Sequence, residues 1–301
     1  MKTISIFVHF DKDNKIHCYV IKYLQELKNQ FNEIIFVSNS NLNSKEQDKI
    51  KGIVRHIIIR DNKGYDFMAW RDGIRYIGYN NLHNYDELVI ANDSNYAPLF
   101  PFKNIFQSIK NIDCDFWGIT ESSSFKTHLQ SSFLVFKKNI IISNVFKNFW
   151  ENIKVENSKT DVIKKYELGL QEQLEAAGFK SHVIFKIKLS KYKVLKYKIK
   201  RILVLIKRRF RKDLGYYNKK TYFIKNKPKE LLLNFFDLSN INITICCWEE
   251  LIKMGCPFLK VEVLRDNSYG LKNVKNWENI IQKYSEYDIN LIKSHLKQLD
   301  L

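Results

Sequence analysis

Short apolar runs alternate with segments of helical spacing along the first 60 residues. Thr3-Ile4-Ser5-Ile6-Phe7-Val8-His9 reads as a strand buried on both faces, since almost every position is apolar or small. Over residues 15–31, Ile16, Val20, Tyr23, Leu24 and Leu27 fall at steps of three and four, which predicts a helix. Glu33 to Val37 is a second strand, ended by the turn Ser38-Asn39-Ser40-Asn41. A short polar helix follows, then Ile53 to Ile59 as a third strand. Such alternation implies a parallel sheet with helices on both faces. Neither G-x-G-x-x-G nor a P-loop is present, which argues against dinucleotide or ATP sites of those kinds.

Leu88 to Ala91 is an uncharged run that suits a central strand, and it ends in Asn92-Asp93-Ser94-Asn95. In open α/β sheets, ligands bind beyond the carboxyl ends of the strands. A carboxylate flanked there by amide and hydroxyl oxygens suits a divalent cation or sugar hydroxyls, although the same residues also make a good turn. Upstream lies Asp61-Asn62-Lys63-Gly64-Tyr65-Asp66, where Gly64 allows backbone to approach a ligand closely and Asp66 suits an N-cap. Phe67, Trp70, Ile74 and Ile77 continue as the apolar face of a helix whose N-terminus would welcome phosphate. Arg71 and Asp72 follow, and taken singly each reads equally well as part of a surface salt bridge.

Further along, Asp115 to Thr120 reads as a strand and Glu121 to Lys126 as a loop. His128 and Gln130 then lead into a strand at Phe133 to Phe136, so both fit sugar hydroxyls or a purely structural role. Residues 139–153 are helical, and 181–187 form a last strand. Tyr216 to Phe236 reads only as loop plus helix, and Trp277 to Leu299 as a terminal helix.

Composition changes this picture at one place. Of the net charge of +18, the segment Lys186 to Lys212 carries 13 positive charges and no acid. Within it Tyr192, Leu195, Ile199, Ile202, Leu203 and Ile206 recur at steps of three and four, which predicts a basic amphipathic helix. An anionic membrane surface fits such a helix, as does packing on the core with a solvated basic face. Nucleic acid is disfavoured, because no basic residues elsewhere extend the patch along a groove. No run reaches the ~18 apolar residues of a membrane span, and residues 1–10 read as a strand rather than a leader. The five cysteines show no C-x-x-C pairing and read as free thiols of a reducing cytoplasm.

Asn62-x-Gly64 followed by Ala69-x-Arg71-Asp72-Gly73-Ile74 resembles the N-x-G-x-x-x-A-R-N-x-G signature of GT-A glycosyltransferases, with one residue inserted and Asp72 for Asn. Asp93-Ser94-Asn95 stands where that fold carries D-x-D, with Asn in place of the second Asp. Together with Trp70-Arg71-Asp72-Gly73, Asn92-Asp93-Ser94, His128-Leu129-Gln130-Ser131-Ser132-Phe133 and Pro257-Phe258-Leu259-Lys260, these motifs resemble the rhamnan synthesis protein F family of bacterial polysaccharide glycosyltransferases.

The resemblance implies a GT-A-like α/β fold, with a mostly parallel sheet, flanking helices and a helical C-terminal extension. The expected layout is a GT-A-like catalytic core over 1–185, the basic amphipathic helix over 186–212 facing a membrane, and 213–301 completing the same domain. The implied donor is a nucleoside-diphosphate sugar, with rhamnose the expected sugar. The implied acceptor is a lipid-linked oligosaccharide or polysaccharide, at the inner face of the cell membrane. Asn62, Gly64, Arg71, Asp72, Asn92, Asp93, Asn95 and His9 are expected at the donor, and His128, Gln130 and Trp248 at the acceptor. Asp93 and Asn95 are the expected ligands of a divalent cation, Mg²⁺ or Mn²⁺. Tyr166 to Phe179 resembles the E-D-x-x-L-x-x-R-x-x-x-x-G block of inverting enzymes, which makes Glu167 the expected catalytic base, with Asp66 second. The incomplete D-x-D also allows a sugar-nucleotide-binding component without activity.

Overall fold

A computed structural model describes residues 1–123, 125–156, 158–213 and 241–299; the expected loop and helix over 216–236 lie outside the described residues. The chain builds a mixed α/β fold on one large sheet. Its strands are β1 (Thr3–His9), β2 (Glu33–Ser38), β3 (His56–Ile59), β4 (Glu87–Asn92), β6 (Phe116–Ser122), β7 (His128–Leu129), β8 (Phe133–Lys137) and β9 (Ser181–Phe185), with β5 (Asn95–Tyr96) and β10 (Leu259–Lys260) forming a separate ribbon. The order is β3-β2-β1-β4-β8-β6, with β9 and β7 both paired to β6. β1 is parallel to β2 and β4, and β6 is parallel to β9, while β8 runs antiparallel between β4 and β6. The mostly parallel sheet with flanking helices is therefore as expected, with one reversed strand near its middle.

Full burial of β1 and near-full burial of β4 follow from their apolar sequences. Successive side chains feed two cores, one on each face of the sheet. Phe7, Phe36, Val89 and Val135 face the helices Cys18–Gln30 and Phe102–Ile109 and the C-terminal segments. Ile6, Val37, Ile90 and Phe136 face the helices Tyr65–Ile77, Asn144–Glu151 and Leu168–Ala176. Boundaries differ from expectation where polar residues intervene. The third strand starts at His56, not Ile53. The 139–153 helix is broken after Ile141, and the terminal helix is split into Trp277–Tyr284 and Ile289–Gln298.

The helix Tyr65–Ile77 is the element that positions the site. Its N-cap is Gly64 at φ 74°, not Asp66, which lies inside the first turn. A Cβ at Gly64 would meet Met68 Cγ at 2.1 Å, so the left-handed turn and the close approach both require glycine here. The Trp70 indole N–H donates to Ala91 O at 3.1 Å, tying the helix to β4. Gly73 lets the helix lie against the sheet, since a Cβ there would stand 2.6 Å from Ile6 Cγ2.

Gly73→Ala should therefore lower unfolding stability by about 1–3 kcal/mol through overpacking. Chemical denaturation followed by circular dichroism measures it, and an unchanged midpoint would show that the helix can shift without cost.

Candidate active site

Three loops meet beyond the carboxyl ends of β1, β2 and β4. β1 lies between β2 and β4, where the strand order reverses and a crevice opens in folds of this kind. After β4 the chain turns at Asp93, whose backbone N–H donates to Val8 O at 3.2 Å. The Asp93 carboxylate accepts from the Phe10 backbone N–H at 2.9 Å, and Tyr19 Oη–H donates to Asp93 O at 3.1 Å. His9 is buried, with Nε2 3.9 Å from the Asp93 carboxylate. Its ring meets Lys15 O at 3.2 Å and Ser38 Oγ at 3.1 Å, and burial pushes its pKa down to about 4, which keeps it neutral.

Asn92 joins this turn to the facing helix. Its amide N–H donates to Asp66 Oδ2 at 2.8 Å, while its Oδ1 accepts from Ser94 N at 3.2 Å and Ser94 Oγ at 2.6 Å. Asn95 is buried beside it, with Nδ2 3.4 Å from Ser94 Oγ. Burial pushes the Asp66 carboxyl above its ordinary range; the Asn92 amide and Lys159 oppose this, and Glu167 adds to it. Asp93 is also pushed up, to about 8, by burial and then by the charges of Asp66 and Asp11, although 17% of its side chain still reaches solvent. An acidic cluster this reluctant to ionise suits a cation with hard oxygen ligands, such as Mg²⁺ or Mn²⁺. Among the described residues no group of three His, Cys, Asp or Glu side chains stands ready to hold a metal. A cation here would thus share its coordination between Asp93, the Asn95 oxygen, water and ligand oxygens.

On the far side of the cluster stands Glu167. It stands directly before the helix Leu168–Ala176. It closes a π-helical turn, Ile163–Glu167, between the helical segments Lys159–Val162 and Leu168–Ala176. Such turns redirect a side chain and recur at functional sites. Glu167 Oε1 accepts from Ser131 N at 2.6 Å and Ser131 Oγ at 2.8 Å, and Oε2 lies 3.7 Å from His128 Nε2. Burial pushes the carboxyl up, but His128 and the Ser131 donors outweigh it and hold Glu167 below the usual range. His128 accordingly has its pKa raised by Glu167 against the effect of burial, and its Nδ1 meets Lys126 O at 2.7 Å. The result is a buried, oriented carboxylate that stays ionised and can accept a proton.

The structure thus brings Asp93, Asn92, Asn95, Asp66, Glu167, His9 and His128 into one neighbourhood and leaves other expected residues outside it. Gly64 shapes the backbone, and Asn62 is exposed on the loop before it. The Arg71 guanidinium is occupied by Ile153 O at 2.9 Å and by Asp72 at 3.2 Å, so it braces the helix instead of facing a donor. Asp72 is likewise taken by Arg60 at 2.8 Å. Gln130 bonds to Thr120 Oγ1 at 2.8 Å and to Asn242 at 3.3 Å. Trp248 corrects the expectation of an acceptor contact: it is 1% exposed and packed in the core, where it has no face to offer a sugar. Sequence reasoning also missed Arg60, which donates to Lys63 O at 2.9 Å and to Asn39, and so fixes the 61–64 loop. Its place directly before that motif was the only signal.

The raised Asp93 carboxyl has a testable consequence. Its folded pKa, about 8, lies above the ordinary value of 3.8, so folding favours the protonated form. That contribution is complete below 3.8 and is lost as pH rises through 8. Asp93→Asn, which cannot ionise, should therefore gain thermal stability over the parent as pH rises from 4 to 8, the gap levelling above that. Thermal unfolding across this range measures it, and a gap independent of pH would contradict the buried-acid reading.

Residues 34–212, more than half of the chain, match the family described as Rhamnan synthesis protein F. The "Virulence protein VirA" of Vibrio anguillarum is 26% identical over 98% of this chain and 91% of its own length. Among solved structures, the 4-diphosphocytidyl-2C-methyl-D-erythritol synthase of Anaerococcus prevotii covers 64% of this chain and 94% of its own, at 11% identity and a TM-score of 0.39. A putative nucleotide-diphospho-sugar transferase from Desulfovibrio desulfuricans covers 60% and 79%, at 12% identity and a TM-score of 0.35. The matched stretch includes Asp66, Asn92, Asp93, His128, Ser131 and Glu167, and the chain belongs to the rhamnan synthesis protein F family.

Proposed function

We propose that this protein is an inverting glycosyltransferase. It moves a sugar, rhamnose by the family's description, from a nucleoside diphosphate to a lipid-linked acceptor of a growing surface polysaccharide. The observation that carries this reading is the grouping of Glu167, Asp66 and Asp93 at the carboxyl ends of β1 and β4. Glu167 is held ionised by Ser131 and His128, and Asp66 is bonded to Asn92 next to Asp93. Glu167 takes the proton of the acceptor hydroxyl as that oxygen attacks the anomeric carbon. His128 and Ser131 hold the carboxylate in place, so His128 acts through Glu167 and not on a sugar. The turn at Asp93 and Asn95 receives the donor's diphosphate. A divalent cation bound there would supply charge for the leaving group.

A second part of the reading concerns the membrane. The helix Lys191–Asp213 packs Val194 and Tyr197 against the core, sets Arg201 over the Tyr269 ring at 5.6 Å, and ties Arg208 to Asp266 O. Its opposite side exposes Tyr192, Leu195, Ile199, Leu203 and Ile206 in one stripe, from 39% to 73% accessible. Lys191, Lys193, Lys196 and Lys207 lie exposed along the same helix. No helix among the described residues is long and apolar enough to cross a membrane. An apolar stripe edged by lysines suits lying on an anionic bilayer, where each nearby cation contributes roughly 1 kcal/mol. This position would bring the enzyme to a lipid-linked acceptor.

Glu167→Gln should keep the fold and donor binding but lower the transfer rate about 10²–10⁴-fold, the usual worth of a general base. Transfer to a lipid-linked acceptor extract, with circular dichroism as the fold control, tests this, and wild-type turnover would remove Glu167 from the mechanism. The triple change Leu195→Ser, Ile199→Ser, Leu203→Ser leaves every lysine in place and touches only exposed positions. It should abolish co-sedimentation with phosphatidylglycerol vesicles, and undiminished binding would end the membrane proposal.

A further inference from the structure

The C-terminal part of the chain returns to the site through the β5–β10 ribbon. Lys260 stands opposite Asn95 in this antiparallel pair, and the next backbone N–H, of Val261, donates to Ser94 O at 2.9 Å. A lysine from a segment more than 160 residues downstream is thereby fixed beside the Asp93-Ser94-Asn95 turn. The residue is half-buried. Among the described residues, no hydrogen bond or close ion pair engages its ammonium group. Its charged neighbours are Lys159, Glu262, Glu167 and Asp66, and desolvation followed by Lys159 presses its pKa down against the three acids. A half-buried ammonium without a bonded partner bears part of the cost of leaving water, and pairing with an anion would offset that cost. Lys159, which also acts on Asp66, adds a second cation at the same place.

We infer that Lys260, assisted by Lys159, binds the diphosphate of the donor and takes up the charge that develops on it during transfer. This deepens the glycosyltransferase reading above and rests on it. In the step, the acceptor oxygen forms a bond to the anomeric carbon as the bond from that carbon to the β-phosphate oxygen breaks. The bonding electrons leave with the nucleoside diphosphate, which gains one negative charge, and the acceptor proton passes to Glu167. Glu167 and Lys260 thus serve opposite ends of the same displacement, one receiving the proton and the other the leaving anion. The substitution of Asn95 for the second acid of D-x-D fits this arrangement. A carboxylate opposite Lys260 would pair with the ammonium and neutralise it before any donor arrived.

Titration calorimetry with UDP, GDP, CDP and dTDP, and with each parent nucleoside, tests the inference, run once in EDTA and once in Mn²⁺. At least one diphosphate should bind the full-length protein in both conditions. Lys260→Gln should weaken that diphosphate roughly tenfold to a hundredfold, the worth of one charged hydrogen bond. Lys260→Arg should stay within a few-fold of the parent, and nucleoside binding should be unchanged in both variants. Lys260→Met serves in place of Lys260→Gln should the glutamine variant unfold. A folded variant that binds the diphosphate as tightly as the parent overturns the role of Lys260 and leaves the donor site standing. If no nucleoside diphosphate binds the parent in either condition, the donor-site reading falls, and this inference with it.

Discussion

A single hydrogen bond, from the Asn92 amide to the Asp66 carboxylate at 2.8 Å, holds the site together. It joins the last residue of the central strand to the first turn of the helix that covers it. Without it Asp66 would be buried beside Asp93 and Glu167 with only the charges of Lys159 and Lys260 to offset the desolvation. With it, two chain segments 26 residues apart share one position, and the Asn92 oxygen remains available to fix the turn through Ser94. The acids on either side then diverge in character. Asp93, pressed by burial and by like charges, resists ionisation; Glu167, given two donors from Ser131 and a histidine, does not. Two carboxyl groups driven apart in this way can fill different roles within one site.

Much of the scaffold was legible because it follows local rules. Strands buried on both faces are written as short apolar runs, and β1, β2 and β4 appear within a residue or so of where those runs place them. The reversal of β8 was not legible, since an apolar run carries no direction. At the site, the Asp93 turn and Glu167 each lie within electrostatic reach of Asp66, by routes the sequence does not spell out. The π-turn has no compositional mark. Lys260 reaches the Asp93 turn only through a ribbon of two-residue strands, too short to register as a periodicity. Trp248 was misjudged because a tryptophan in a motif-rich stretch reads the same whether it stacks on a sugar or fills a core.

The uneven charge of the chain is also explained by packing. The helix Lys191–Asp213 concentrates cations, yet several of them are used internally. Arg201 lies over an aromatic ring, Arg208 bonds a carbonyl, and Lys198 is only 8% exposed. Long basic side chains can cover apolar surface with their stems, which lets a strongly basic helix dock on a core. The apolar residues are split between two sides of the helix, so a stripe remains that the described core does not cover.

The winding of the helical stretch around Glu167 has a consequence for how this protein tolerates change in length. A π-turn is an α-helix carrying one surplus residue. Loss of any one residue within Ile163–Glu167 would let the helix rewind regularly. The helical segments on either side would keep nearly the same orientation, because the π-turn already absorbs the surplus residue, and only the side chains carried within the turn would be reset. The flanking helix could remain well formed while its acid looked away from Ser131. A single lost codon in this turn would therefore leave the fold sound while displacing the acid from its partners.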